Sequence, residues 1–101
     1  MYLIQLLLPL HDNDNQSFPP AHFNTVRTEL TRRFGGVTAF LRAPANGLWE
    51  EDQNINSDDV VMFEVIAENL ESDWWRDYRI QLQHVFKQKE VLIWATSVKK
   101  L

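Results

Sequence analysis

The stretch Val60-Val61-Met62-Phe63-Glu64-Val65-Ile66-Ala67 decides the fold of this chain. It is rich in β-branched residues, which favour a strand, and alternation divides it between the two faces of a sheet. One face takes Val61, Phe63 and Val65, and the other takes Val60, Met62, Glu64 and Ile66. Because both sets contain large apolar side chains, we expect a strand that is covered on both faces.

The segments before this stretch predict the order strand, helix, strand. Residues 2–8 form a short apolar run that stops at Pro9, which is typical of a buried strand. Residues 21–34 have the spacing of an amphipathic helix, and Gly35 can end it in a left-handed conformation. The apolar stripe of this helix is Phe23, Val26, Leu30 and Phe34. Residues 37–42 predict the second strand.

The segments on the other side predict a second helix and a fourth strand. We expect Ser72 to be the N-cap of that helix and Asp73 to stabilise its positive end. The predicted apolar stripe is Trp75, Tyr78, Leu82, Val85 and Phe86. Residues 91–98 predict the last strand. The turn-rich connection 43–59 contains Asn46-Gly47, which allows a hairpin extension.

The order of these elements predicts an α+β domain of the ferredoxin-like type, βαββαβ, over residues 1–101. A chain of 101 residues suits one domain. Right-handed crossovers place both helices on one face of a four-stranded antiparallel sheet, with the strands in the order four-one-three-two.

Composition excludes several classes of function. The chain has no cysteine, so thiolate metal sites and disulfides are excluded, and we expect a cytoplasmic location. Its 10 basic residues against 14 acidic ones argue against a nucleic-acid partner. The N-terminal apolar run is too short to span a bilayer and lacks a basic region before it, so no membrane partner is predicted.

The sheet face away from the helices needs a cover. Besides the third strand, it takes Leu3, Gln5, Leu7, Thr38, Phe40, Arg42, Leu92, Trp94, Thr96 and Val98. About half of these side chains are large and apolar, which is a larger patch than soluble monomers usually expose. A second copy of the same face is the simplest cover, since symmetric dimers are the commonest assemblies.

In element order and two-sided strands the chain resembles the dimeric α+β barrel superfamily, small ferredoxin-like proteins that pair sheet to sheet. Three segments are similar to small uncharacterised bacterial proteins of this type: Phe34-Gly35-Gly36-Val37-Thr38, Gly47-Leu48-Trp49 and Phe86-Lys87-Gln88-Lys89-Glu90-Val91. The resemblance implies a homodimer. It leaves the activity open, because members include monooxygenases, decarboxylases and ligand-sensing modules.

The candidate site lies on that second face. Gln5, Arg42 and Glu64 are its polar residues, and Phe40, Met62 and Trp94 are its apolar walls. Glu64 would transfer a proton, and Arg42 would anchor a substrate carboxylate. The alternative is an Arg42–Glu64 pair that only fixes the dimer register. Trp49, in the polar connection, either packs against the domain, which is the favoured interpretation, or reaches a partner subunit, or forms a lid over the site.

No metal or cofactor is predicted. His11, His22 and His84 have no spacing typical of a zinc site, and we interpret them as surface residues. The resemblance leaves His84 as a conceivable heme ligand. The acidic residues around Trp49 do not match a calcium loop. Trp74-Trp75 could stack a ring-shaped ligand, although a helix anchored by Trp75 is the simpler interpretation.

Two functions follow from these features. The first is a homodimer with a small-molecule-binding or protein-interaction role. The second is an enzyme of the monooxygenase or isomerase kind that needs little help from a cofactor and uses Glu64 or a histidine for proton transfer. The two differ in whether the face holds a cavity with convergent polar groups.

Overall fold

The computed structural model describes residues 1–42 and 59–101, and its elements follow the predicted order. The chain is an α+β protein with the ferredoxin-like arrangement βαββαβ. Its elements are β1 (Tyr2–Pro9), α1 (Pro20–Phe34), β2 (Thr38–Arg42), β3 (Val60–Ala67), α2 (Ser72–Val85) and β4 (Leu92–Ser97).

The four strands form one antiparallel sheet in the order β2-β3-β1-β4, which confirms the predicted order. In β1, Gln5 pairs with Glu64 of β3 on one side and with Trp94 of β4 on the other. Residues paired in this way have their side chains on the same face. The register therefore confirms the predicted division of the strands between the two faces.

The helix face of the sheet is the surface on which both helices pack. Phe63 of β3 is completely buried at its centre. The two helices contribute side chains to the same core, so they lie on one side of the sheet, as predicted. The remaining core residues on the sheet and helices include Ile4, Leu6, Leu8, Val65, Val26, Leu30, Trp75, Tyr78, Leu82 and Phe86.

The C-terminal end of α1 is as predicted from the sequence, whereas the N-terminal end of α2 differs from the prediction. Gly35 caps α1 with φ 84°, and its N–H donates to the carbonyl of Thr31 at 2.8 Å, as the Gly-Gly pair predicts. Ser72 is not the N-cap of α2: that position belongs to Glu71, whose carbonyl accepts the N–H of Trp75 at 3.0 Å. The Glu71 carboxylate instead bonds Arg33 at 2.8 Å, so no side chain caps this helix.

The predicted stripe of α2 contains one error. Val85 is exposed, whereas Phe86 is completely buried. Phe86 lies four residues after Leu82 and takes the inward position at the end of the helix, which turns Val85 outward.

Within the described residues, none of the helices is long and apolar enough to cross a membrane.

Candidate ligand site on the open sheet face

The open face is the surface of the sheet opposite the helices. Large apolar side chains from three of its four strands are exposed there. Phe40, Ile66, Leu92 and Trp94 are between 37% and 54% exposed. The open face therefore exposes several large apolar side chains on one side of the sheet.

A row of hydrogen-bonded side chains crosses three strands of the open face. The indole Nε1–H of Trp94 donates to Oε1 of Gln5 at 2.8 Å. The amide Nε2 of Gln5 donates in turn to Oε2 of Glu64. We call Trp94, Gln5 and Glu64 the polar row. Two of its members, Gln5 and Glu64, are half-buried.

The chemistry of the three groups fixes the direction of the row. An indole nitrogen can only donate, so the side of Gln5 that faces Trp94 must be its oxygen. The NH₂ group then faces Glu64, which accepts from it. Because each partner determines the orientation of the next, Trp94 indirectly positions the Glu64 carboxylate.

Two of the predicted apolar walls lie against this row. Met62 is only 5% exposed although it is not part of the helix-face core. Its Sδ lies 3.4 Å from Nε2 of Gln5, and its register partner in β2 is Phe40. The carboxylate of Glu64 is therefore next to a buried thioether, with aromatic rings of Phe40 and Trp94 on the same face.

The backbone of Arg42 lies at a different register position from the polar row. Arg42 pairs with Val60, whereas Glu64 pairs with Thr38 at the other end of β2. Four residues of strand separate these pairs, which corresponds to about 13 Å. Trp49 lies outside the described residues.

A hollow of about 390 Å³ borders one end of the open face. Leu7, Val60 and Leu92 form its apolar side, and His11 and Glu90 are among its polar residues. Sequence reasoning placed no site here, because its lining comes from a loop and from strand ends that only the sheet brings together. Neither Gln5 nor Glu64 lines this hollow, so the polar row lies on an open surface.

A second hollow, of about 360 Å³, lies between α2 and β4 at the edge of the sheet, and Trp94 of the polar row is among its lining residues. Ile4 and Ile93 line its apolar part, and Arg76 and Arg79 are its basic residues. Arg76 is bonded to Asp73 at 3.4 Å and to Asp77 at 3.2 Å. The acidic neighbours on the same helix thus offset much of the positive charge at this hollow.

The Trp74-Trp75 pair is occupied by contacts within the chain. Trp74 stacks on Tyr78 with ring centroids 4.8 Å apart, and Trp75 stacks on Phe34 at 5.3 Å. The guanidinium of Arg33 lies 4.4 Å from the centre of the Trp74 ring. The rings that could have stacked a ligand are therefore engaged in packing α1 against α2.

This aromatic cluster contains two buried polar atoms without hydrogen-bond partners in the described part of the chain, Nε1 of Trp75 and the hydroxyl of Tyr78. Burial, together with the nearby Glu29 carboxylate, raises the pKa of the Tyr78 hydroxyl above its usual range. The hydroxyl is thus neutral at physiological pH.

The histidines differ in their surroundings. His22 is half-buried and stacks on Phe18 with centroids 5.9 Å apart, with the edge of Phe86 at 5.6 Å. His84 is exposed, near the end of α2. Across residues 1–42 and 59–101 no three His, Asp or Glu side chains are grouped as a metal ion requires.

Comparisons with known proteins bear on the fold. No protein-family model matches the sequence, and no curated protein is significantly similar to it. The structure of a phage SAM lyase in complex with S-methyl-5'-thioadenosine is similar to this chain, with a TM-score of 0.58 and 14% identical residues. The alignment covers 94% of this chain and 79% of the lyase chain. At that identity the similarity shows a shared fold and nothing about activity.

Proposed function

We propose that this protein is a homodimer that binds a small molecule between two open faces, at the polar row. One observation carries the proposal: a positioned carboxylate, Glu64, lies among exposed apolar side chains on a face that neither α1 nor α2 covers. Within residues 1–42 and 59–101 of a single copy, these apolar side chains remain partly exposed. A second copy would bury the apolar groups and turn an open surface into an enclosed site.

The size of the open face suits such a dimer. The strands β1 and β3 have 8 residues each, and the sheet has four strands. β2 is shorter, with 5 residues, and β4 has 6, so the four strands cover about 430 Å² per copy in projection. Two faces then bury about 860 Å² in projection, and their accessible area is larger because the side chains make the surface uneven, so the pair approaches the roughly 1,000 Å² of specific interfaces.

Ligand binding also needs the second wall. Small-molecule sites usually enclose most of the ligand surface. Gln5 and Glu64 lie on an open surface, because neither of them lines either of the hollows described above. The open face of one copy therefore provides only one wall of a binding site. The dimeric α+β barrel proteins, which the chain resembles in element order, supply that wall by pairing their sheets. The same pairing is what we propose here.

Replacing one isoleucine by lysine tests whether the open face forms the dimer interface, and the same replacement of a second isoleucine elsewhere is the matched control. Ile66 on the open face is 49% exposed, and Ile80 on the outer surface of α2 is 54% exposed. We expect Ile66→Lys to convert a dimer into a folded monomer, since it would bury a charge in the interface. Ile80→Lys should remain dimeric.

Size-exclusion chromatography with light scattering gives the mass of each variant, and circular dichroism confirms that each is folded. A wild-type dimer that Ile66→Lys leaves intact would place the interface elsewhere on the molecule. A monomeric wild type would contradict the dimer altogether.

A second candidate function is proton-transfer catalysis by Glu64. The observation that favours it is that Gln5 donates only to Oε2, while no side chain of the described residues donates to Oε1. An oxygen held in place but left unoccupied is what a general base requires. The similar lyase fold makes SAM and S-methyl-5'-thioadenosine the first compounds to test as substrates or ligands.

Glu64→Gln separates the two functions. If Glu64 is the general base, the variant should remain a dimer but should not turn over any compound that the wild type converts. Full turnover in Glu64→Gln would remove the catalytic role. The assay is product formation measured by mass spectrometry on wild type and variant at equal dimer concentration.

A further inference from the structure

We infer that the ligand of the polar row is a cation with an apolar body, such as an aryl-alkyl ammonium ion. The inference rests on the proposed function for the position of the ligand between two copies. Its chemical argument depends only on side chains that the structure describes.

The hydrogen-bonding capacity that remains in the row is that of an acceptor. Both polar ends of Gln5 are used: Oε1 accepts from Trp94, and Nε2 faces Glu64 and the sulfur of Met62. The only N–H of the Trp94 side chain already donates to Gln5. What is left is the Glu64 carboxylate, so the row can receive a donor but has none to offer to an anion.

Charge leads to the same conclusion. Among the described side chains of the open face, Glu64 is the one acidic or basic group, and no salt bridge of the described residues includes it. Two-fold pairing would bring a second Glu64 to the same interface. A carboxylate taken out of water without a countercharge is unfavourable, so a cation would stabilise the interface as well as bind to it.

The surroundings of Glu64 suit the rest of such a ligand. The rings of Phe40 and Trp94 and the thioether of Met62 lie on the same face as the carboxylate. Aromatic rings attract cations through their electron-rich faces, and they also pack against apolar groups. Thr38, opposite Glu64, adds a hydroxyl that accepts as well as donates.

Three probes with the same benzyl body separate charge from shape: 2-phenylethylammonium, 2-phenylethanol and phenylacetate. Isothermal titration calorimetry measures their affinity for the wild-type protein. We expect the cation to bind about tenfold more tightly than the neutral alcohol, and the anion to bind weakest. In Glu64→Gln the preference for the cation should disappear.

A matched control removes one negative charge elsewhere. Asp77 is exposed on α2, so Asp77→Asn should keep the preference of the wild type. Trp94→Phe keeps the charge of Glu64 but removes the hydrogen bond that holds Gln5 in place. We expect this variant to bind the cation severalfold more weakly than the wild type. This variant keeps the inference testable if Glu64→Gln does not fold.

Several results would overturn the cation site. They are equal binding of the three probes, an unchanged preference in Glu64→Gln, and no cation binding to a wild-type dimer at millimolar concentration. If the cation binds only to Arg42→Gln and not to the wild type, then Arg42 is the countercharge and the inference is wrong.

Light scattering on the same samples separates this inference from the dimer. If the protein is a dimer that does not prefer the cation, the proposed dimer holds and the inferred cation site is wrong. If the protein is a monomer whose preference for the cation depends on Glu64, the cation site holds and the proposed dimer is wrong.

Discussion

The two faces of this sheet are built from the same strands but differ in what they contact. Leu6 points to the helix face and is completely buried, whereas its neighbour Leu7 points to the open face and is half-buried. The helix face is closed by the chain's own helices, with Phe63 at its centre. The open face leaves rings of comparable size, such as Phe40, in contact with solvent. The helix face therefore stabilises the fold of the single chain, whereas the open face keeps large apolar side chains that α1 and α2 do not cover.

The faces also differ in how their polar groups are satisfied. On the open face, Gln5 joins Trp94 to Glu64, so polar groups from three strands satisfy one another. On the helix side, the hydroxyl of Tyr78 is buried without such a partner among the described residues. A core tolerates one such atom at a cost, whereas the row on the open face satisfies its polar groups and holds the Glu64 carboxylate in one orientation.

The largest expected effect comes from truncating equivalent rings on the two faces. Phe63→Ala should lower the free energy of unfolding by about 3–5 kcal/mol, since it leaves a cavity in a closed core. Phe40→Ala, on the open face, should cost well under half of that in the folded monomer. Urea unfolding at equal and low protein concentration measures both.

Equal losses for Phe63→Ala and Phe40→Ala would mean that the open face is as tightly packed as the helix face. The contrast between the faces would then be wrong.

A middle-sized effect is expected within the polar row. Trp94→Phe removes the indole N–H and should lower the free energy of unfolding by about 1 kcal/mol or less, because water partly replaces a bond on an exposed site. Repeating the exchange in a Gln5→Ala background isolates the bond, since its acceptor is already gone. The cost of Trp94→Phe should shrink in that background. If Trp94→Phe lowers the free energy of unfolding equally in both backgrounds, the hydrogen bond to Gln5 does not contribute to stability.

The smallest effect concerns Tyr78 and has the opposite sign. Tyr78→Phe should leave stability unchanged or raise it by up to about 1 kcal/mol, because it removes a buried hydroxyl with no partner among the described residues.

The variant should also differ from the wild type in alkali. The raised pKa of Tyr78 means that the folded wild type keeps a proton that the unfolded chain releases, so its stability falls as pH rises above about 10. Tyr78→Phe lacks this contribution. Thermal unfolding between neutral and alkaline pH measures the difference, and parallel curves for the two proteins would contradict it.

Most of the fold could be predicted from local patterns. Alternation in β3 and the stripe of α1 are properties of short segments, and they predicted the elements and both faces of the sheet. The prediction of Ser72 as the N-cap of α2 was wrong by one residue, since Glu71 takes that position and its side chain bonds Arg33 of another helix. A contact of that kind between distant segments leaves no local signal.

The site was only partly predictable for the same reason. Sequence placed Gln5, Glu64 and Trp94 on one face, but the hydrogen bonds that join them depend on the register between strands far apart in the chain. That register also puts Arg42 opposite Val60, at a distance from Glu64 that the sequence did not reveal.

Native mass spectrometry of the freshly purified wild-type protein tests the central claim most directly, because it reports subunit number and bound mass together. We predict a dimer across a range of protein concentrations, with any retained ligand released when Ile66→Lys separates the subunits. A stable monomer at every concentration, with no excess mass, would contradict the proposal that a second copy covers the open face.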